Sequence, residues 1–217
     1  MSTMATYLQI RKRVAYLRGE TDFTTGSNND AINAHIQAAI LDICNAHNFS
    51  WNQAPLTLTV TAGTVNLPTD YNQQWKVPYV DDGTQPYAEI PVESKLNFSD
   101  GDRRFYILYD NTNKVYTLKS PTLSASLTGY YYFIPADLTA DGDVCVVPDG
   151  EAVAYLATSK MWISDERNIE LKREYEAEAQ TRIDKMYAKD LMEGPVYTQG
   201  SVIDYNYRLR QGSDGGS

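Results

Sequence analysis

The sequence predicts an α+β fold: a bundle of about four helices, an inserted antiparallel β-domain and an extended C-terminal arm. Apolar residues recur every three or four positions in the first fifty residues and again after Pro148, as in amphipathic helices. Between these stretches the apolar period changes to two, which is typical of half-buried strands. After Gly194-Pro195 no helical period is left.

These changes of period divide the chain into four segments. Residues 1–52 are expected to form the N-terminal part of the bundle, and residues 53–147 the β-rich insert. Residues 148–193 supply the C-terminal helices that complete the bundle, and residues 194–217 form the arm. A length of 217 residues is enough to bury a sizeable core.

The helices are expected where caps and apolar stripes coincide. The first begins after Ser2 or Thr3, which can cap free N–H groups, and ends at Gly19. The second opens at residues 28–30 and stops near His47, and Phe49 and Trp51 anchor its exit. Its predicted buried stripe is Ile32, Ile36, Ala39, Ile40 and Ile43. The third opens at residues 148–151, and a break around Ser164-Asp165 precedes the fourth, which runs to about Leu191.

The strands are expected where apolar and polar residues alternate. Leu56, Leu58 and Val60 alternate with threonines in the first one. Proline on both sides of Tyr87–Ile90 favours an edge strand. Residues 110–113 are typical of a hairpin turn between Arg103–Tyr109 and Lys114–Lys119. Trp75–Val80 and Thr128–Ile134 are the remaining predicted strands.

Composition limits the possible functions. The chain carries 19 Lys and Arg against 28 Asp and Glu, which gives a net charge of -9. This excess of negative charge argues against a protein that binds nucleic acid by neutralising its phosphates. No apolar run is long enough for a membrane helix, and Arg11, Lys12 and Arg13 interrupt the first apolar stretch, which excludes a signal-peptide core there. We therefore expect synthesis in a cytoplasm and no contact with a membrane.

No catalytic, cofactor-binding or metal site emerges from the motifs. Cys44 and His47 are spaced for two metal ligands, but Cys145 stands alone, so a zinc site lacks its second pair. The Asp/Gly clusters at 81–83, 100–102 and 141–143 are more typical of tight turns than of Ca²⁺ loops. Sequence patterns for nucleophilic catalysis and for nucleotide binding are also missing.

Two surfaces are the candidate sites instead. The arm contains a strand-like stretch that cannot bury its apolar side chains by itself. We therefore expect it to bind a partner, and the candidate binding residues are Tyr197, Val202, Ile203, Tyr205, Tyr207, Arg208, Leu209 and Arg210. The 17 tyrosines, apolar with a polar tip, suit wet interfaces. The second candidate, an inter-subunit or partner-facing β-surface, comprises Tyr106, Tyr109, Tyr116, Tyr130, Tyr131 and Tyr132. A sugar-binding platform on these strands is the less favoured alternative, because strand propensity and interface area already account for the tyrosines.

The order of elements resembles the head-to-tail adaptor, or connector, proteins of tailed bacteriophages. The resemblance is carried by Asn29-Asp30 with Ile32, Ile36 and Ile40, by Phe49-Ser50-Trp51 before Leu56-Thr57-Leu58, by Leu67-Pro68-Thr69-Asp70-Tyr71, by the segment from Tyr106 to Tyr116, by Val147-Pro148 to Trp162, and by Tyr175 to Met186. These pieces extend over nearly the whole chain, although the β-rich part looks enlarged.

The resemblance implies a structural protein of the virion neck and no enzyme. It implies a ring, usually of twelve copies, that binds the portal protein, extends the DNA channel without sequence-specific contact and docks the next tail protein. The arm would reach along the portal, and the surface of strand tyrosines would be a tail-side or inter-subunit one. The alternatives are a receptor- or carbohydrate-binding tail or decoration component, and a virion-associated hydrolase that uses paired carboxylates.

Overall fold

The computed structural model describes residues 4–20, 28–77, 79–97, 103–120, 125–162 and 169–193. The fold class is α+β, as predicted. Within these residues the helices are α1 (Tyr7–Leu17), α2 (Asn28–Ala46), α3 (Gly150–Met161) and α4 (Ile169–Glu193). The strands are β1 (Gln53–Thr59), β2 (Thr64–Asn66), β3 (Tyr79–Asp81), β4 (Ala88–Glu89), β5 (Arg104–Asp110), β6 (Val115–Lys119) and β7 (Ser126–Tyr132). None of the described helices is long and apolar enough to span a bilayer.

The chain forms two compact units. The helical unit combines Met1–Asn52 with Pro135–Glu193, and the described part of the β unit is Gln53–Ile134. Each unit has its own cluster of buried side chains.

The start of α1 differs from the predicted one. Thr6, rather than Ser2 or Thr3, caps the helix: its hydroxyl accepts the backbone N–H of Gln9, and the Gln9 side chain accepts the backbone N–H of Thr6. This reciprocal capping box satisfies two donors that a helix start leaves free. A threonine with glutamine three residues later was the available signal. The end agrees with the prediction, since Gly19 follows the helix with a φ of 77°.

The core of the helical unit is built on the predicted stripe of α2, whose five apolar residues are all buried. Phe49 packs there too and stacks on Trp51, with ring centroids 4.6 Å apart, which confirms the predicted anchor at the helix exit. Cys145 and Val147, which the sequence grouped with the β-rich insert, are buried in this same core.

Backbone hydrogen bonds explain why the segment before α3 joins the helices. The N–H of Cys145 donates to the carbonyl of Ala5 at 3.0 Å, and the N–H of Tyr7 donates to the carbonyl of Asp143 at 2.8 Å. The segment therefore pairs with the residues that lead into α1.

The described strands of the β unit form two small sheets, with strand orders β1-β7-β3 and β2-β6-β5-β4. The predicted hairpin is present: β5 and β6 are antiparallel, with Ile107 opposite Leu118, and Asp110 caps the turn by accepting the N–H groups of Thr112 and Asn113. The predicted edge strand is β4, which pairs with β5 in parallel at the end of its sheet.

The predicted strand over Trp75–Val80 is wrong for most of its length. Among the described residues of this stretch, only those of β3 pair, against β7. Before it the chain turns: the side chain of Asn72 accepts the N–H of Gln74, and the N–H of Val77 donates to the Glu89 carboxylate. These side-chain acceptors replace the ladder partners that a strand would need.

Asp70 fixes the end of β7. Its carboxylate accepts the hydroxyl of Tyr131 at 2.9 Å, and its backbone carbonyl accepts the N–H of Ile134 at 2.7 Å. Leu67 and Tyr71, on either side, are buried in the β unit. The leucine-proline-threonine-aspartate-tyrosine element therefore closes the core at the point where the chain leaves β7.

Candidate functional site

The predicted partner-binding arm lies outside the described residues, which end at Glu193. Tyr197, Val202, Ile203, Tyr205, Tyr207, Arg208, Leu209 and Arg210 therefore stay predictions. The second candidate surface, on the strands of the β unit, is described.

The six strand tyrosines do not share one surface. Tyr109 and Tyr130 are 46% and 43% exposed, and Tyr106 and Tyr116 are half-buried. Tyr131 and Tyr132 are buried, so their assignment to a tail-side or inter-subunit surface is wrong. The sequence reasoning expected at least one tyrosine of this run to point inward, and two do.

Hydrogen bonds explain how the two buried tyrosines are accommodated. Tyr131 donates to Asp70, and the Tyr132 hydroxyl accepts the side-chain amide of Gln53 at 2.9 Å. Burial, and then the neighbouring Asp70 carboxylate, raises the pKa of Tyr131 to about 12. Both residues hold the β unit together rather than face a partner.

An aromatic group beside the turn of the β5–β6 hairpin remains accessible. Tyr109 lies opposite Tyr116 with ring centroids 5.0 Å apart, and Tyr116 contacts Tyr71 edge-on at 5.4 Å. The hydroxyl of Tyr116 donates to the side chain of Gln73. Tyr109 is therefore an exposed aromatic side chain held on a pre-ordered base, which is the property of a contact anchor.

The sequence reasoning missed a cluster in the helical unit, which we call the arginine–tyrosine cluster: Arg13, Tyr155, Tyr175 and Arg182. The guanidinium groups of Arg13 and Arg182 both lie over the ring of Tyr155, at 5.7 and 5.5 Å from its centroid. The Tyr175 hydroxyl donates to the carbonyl of Leu17. The cluster therefore connects α1, α3 and α4.

Ion pairs complete this cluster. Arg13 donates to Glu151 at 2.8 Å, and Arg182 donates to Asp149 at 3.1 Å and to Glu178 at 2.9 Å. Asp149 is also the N-cap of α3, since it accepts the N–H groups of Glu151 and Ala152. Only the i,i+4 pair of Glu178 with Arg182 is visible in the sequence; the other partners are distant along the chain.

Beside the cluster lies a groove of about 630 Å³ between the start of α1, the start of α3 and the second half of α4. We call it the α4 groove. Four cations line it, Arg13, Arg182, Lys185 and Lys189, against two carboxylates, Asp149 and Glu151. Its apolar lining is Ala5, Ile10, Pro148 and Met186. The groove offers positive charge next to apolar surface.

The cysteines and the histidine that were considered as metal ligands have other surroundings in the structure. Cys44 and Cys145 are free and buried; desolvation raises the pKa of Cys145 to about 11, and desolvation together with Cys145 raises that of Cys44 to about 12. His47 stacks on Tyr187 with centroids 4.1 Å apart. Across the described ranges, no group of three or more His, Cys, Asp or Glu side chains is arranged to hold a metal ion.

Comparison with known proteins supplies the family. No curated protein matches the sequence. The family model described as SU10 adaptor protein matches residues 5–199, a range that includes all the described helices and strands. Because this match covers most of the chain, the chain belongs to the SU10 adaptor protein family, and its predicted relationship to phage head-to-tail adaptors is confirmed.

Proposed function

We propose that this chain is a structural link of the virion neck: a ring of copies that binds the portal, extends the DNA channel and docks the next tail component. Membership of the SU10 adaptor protein family supports a phage adaptor role with portal and tail components as its partners. The observation that carries the proposal is the family match from residue 5 to residue 199 together with the α+β fold.

The charge of the chain suits such a channel. With a net charge of -9, a wall built of many copies repels phosphates, so that a genome can move past it. Portal proteins and tail proteins are then bound by local surfaces rather than by the overall field.

The proposed attachment to the portal uses the arm, residues 194–217, as an added strand or groove-filling segment. Its hydrophobic and arginine side chains suit pairing with an open sheet edge and with carboxylates of the partner. Each arm contributes little alone because ordering it costs conformational entropy, but several arms on one symmetric target act multivalently.

The test is to mix the full chain with the phage portal protein and measure the mass of the complex. We expect a multiple of the chain bound per portal, with twelve as the proposed number. Deleting Val196–Ser217 should leave the helical and β units folded but abolish attachment. Undiminished attachment of the truncated chain would remove the arm from the proposal.

A carbohydrate-binding tail component is the second candidate, favoured by the exposed side chains of Tyr109 and Tyr130. It predicts a chain that ignores the portal and binds a glycan. We propose, further, that the protein is not an enzyme; release of sugars from cell-wall or capsular polysaccharide by the purified chain would overturn that.

A further inference from the structure

Asn52 is an exception among the buried polar side chains. It is fully buried at the exit of α2, in the short 3-10 turn Ser50–Asn52. Neither Nδ2 nor Oδ1 of its carboxamide has a hydrogen-bond partner among the residues that the structure describes. Each of the other buried polar side chains makes at least one hydrogen bond to a protein group: Arg11, Asn72, Thr117, Ser120, Thr158 and Ser159. Because an unpaired buried carboxamide is costly, folded proteins satisfy such a group with protein or with ordered water.

The neighbouring Trp51 adds a third polar atom. Its indole N–H is buried and also has no partner in the described part of the chain. The polar side chains on either side are satisfied, since Ser50 donates to Asp190 and Gln53 donates to a tyrosine hydroxyl of β7. Along the segment from Ser50 to Gln53, the unpaired groups are therefore confined to two consecutive residues.

The chemistry of these three atoms indicates what can satisfy them. Nδ2 of Asn52 and Nε1 of Trp51 are donors, and Oδ1 of Asn52 is an acceptor. N–H groups are unsuitable ligands for a metal cation, and a carbonyl oxygen is unsuitable for an anion. A small neutral molecule that both accepts and donates suits all three atoms. Water has this property, and buried waters typically make about three hydrogen bonds.

We propose that the exit of α2 binds one internal water molecule. The water accepts a hydrogen bond from Nε1–H of Trp51 and one from Nδ2–H of Asn52, and it donates one to Oδ1 of Asn52. It thereby becomes part of the turn that leads the chain from α2 into β1. This site goes beyond the proposed function and does not depend on it.

Magnetic resonance can detect such a water in solution. In the isotopically labelled full chain, NOE and ROE cross-peaks from water are measured at the Trp51 indole and at the Asn52 side-chain amide. A long-lived bound water gives cross-peaks of opposite sign in the two spectra, whereas proton exchange with the solvent gives the same sign. The control is the exposed side-chain amide of Asn111, in the turn between β5 and β6, where we expect no long-lived water.

A second measurement counts the internal waters. Magnetic relaxation dispersion of the solvent oxygen nuclei reports how many long-lived waters a protein holds. Asn52→Leu keeps the size of the side chain and removes two of the three ligand atoms, so it should lose one water; Asn111→Leu should lose none. Trp51→Phe keeps a ring to stack on Phe49 and should keep the water through Asn52.

Circular dichroism first establishes that each variant is folded, and the cross-peaks of the wild type need no variant. Cross-peaks of opposite sign at both residues, with one water lost in Asn52→Leu, would support the site. Their absence at Asn52, or an unchanged count in folded Asn52→Leu, would overturn it, because a protein group would then satisfy the carboxamide. Cross-peaks at Asn52 alone would overturn the shared position and remove Trp51 as a ligand. None of these results bears on the proposed ring, which is tested on the portal.

Discussion

The helical unit and the β unit are held together in different ways. The core of the helical unit joins two chain segments that are separated in sequence by the described part of the β unit, while that described part is itself one continuous segment with a hairpin in it. Among the described residues the ion pairs are concentrated in the helical unit, and Arg103 with Asp82 is the pair found in the β unit.

Polar groups therefore stabilise the two units in different ways. In the helical unit, charged side chains tie α1, α3 and α4 around the α4 groove. In the β unit, tyrosine hydroxyls and Asx turns close the ends of strands, as with Tyr131 on Asp70. We therefore expect the two units to respond separately to substitutions in their cores, with most effects of charge substitutions in the helical unit.

The largest expected effect comes from one cavity in each core. Ile36→Ala in the helical unit and Leu118→Ala in the β unit both remove fully buried side chains, at a cost of about 2–5 kcal/mol each. Cys44 and Cys145 report on the helical core. In a thiol-labelling experiment at low denaturant, Ile36→Ala should expose both thiols and Leu118→Ala should leave them protected. Equal labelling in the two variants would mean that the units unfold as one.

A smaller effect is expected where α3 approaches the chain before α1. A Cβ at Gly150 would lie 2.4 Å from the Cβ of Ala5, so Gly150→Ala should cost about 1–3 kcal/mol by overpacking. At Gly142 a Cβ meets nothing within 4 Å, and Gly142→Ala is the control. Denaturant titration followed by the helical signal compares them. Similar stability of both variants would contradict a close approach that requires glycine.

The N-cap of α3 comes next. Asp149→Ala removes the acceptor for Glu151 and Ala152 and the partner of Arg182, and should cost about 1–2 kcal/mol. Asp149→Asn keeps the cap and loses the charge, so the cost should fall below about 1 kcal/mol, as for a partly exposed ion pair. Thermal unfolding separates the two contributions; equal losses would assign the effect to the ion pair instead of the cap.

The smallest effect concerns the β unit. Tyr131→Phe removes the hydrogen bond to Asp70 and should cost about 1 kcal/mol, whereas Tyr130→Phe, at an exposed position, should be neutral. Trp75, in the β unit, provides the fluorescence signal for unfolding. If Tyr130→Phe costs as much as Tyr131→Phe, the bond to Asp70 is not what stabilises β7.

This bond also has a pH signature. The pKa of Tyr131 is raised from 10.0 to about 12, first by burial and then by Asp70. The folded unit therefore holds this proton more tightly than the unfolded chain, and its contribution is complete below pH 10 and lost as the pH rises toward 12. The stability difference between wild type and Tyr131→Phe should shrink over that range; a constant difference would contradict the assignment.

Sequence periodicity was sufficient for elements that depend on local patterns. The stripe from Ile32 to Ile43 located α2, and the turn at Asp110 located the hairpin, because a buried helix face and an Asx turn are written in consecutive residues. The predicted strand over Trp75–Val80 was wrong for most of its length because an apolar run does not reveal where its backbone N–H groups donate. They can donate to a neighbouring strand or, as the N–H of Val77 does, to a side chain such as Glu89.

The candidate sites show the same limit. The sequence indicated the strand tyrosines as candidates, but only the structure shows that Tyr130 is exposed while Tyr131 and Tyr132 are buried. The arginine–tyrosine cluster combines Arg13 with Glu151 and Tyr155, which are more than 130 positions away. Such pairs arise from the packing of α1 on α3, and no local pattern contains them.

The most direct test of the account is an electron-microscopic reconstruction of the full chain assembled on the phage portal. We expect a closed ring of copies, coaxial with the portal and surrounding a continuous channel. A portal decorated by scattered single copies, or left bare while the chain binds elsewhere on the particle, would contradict the central claim.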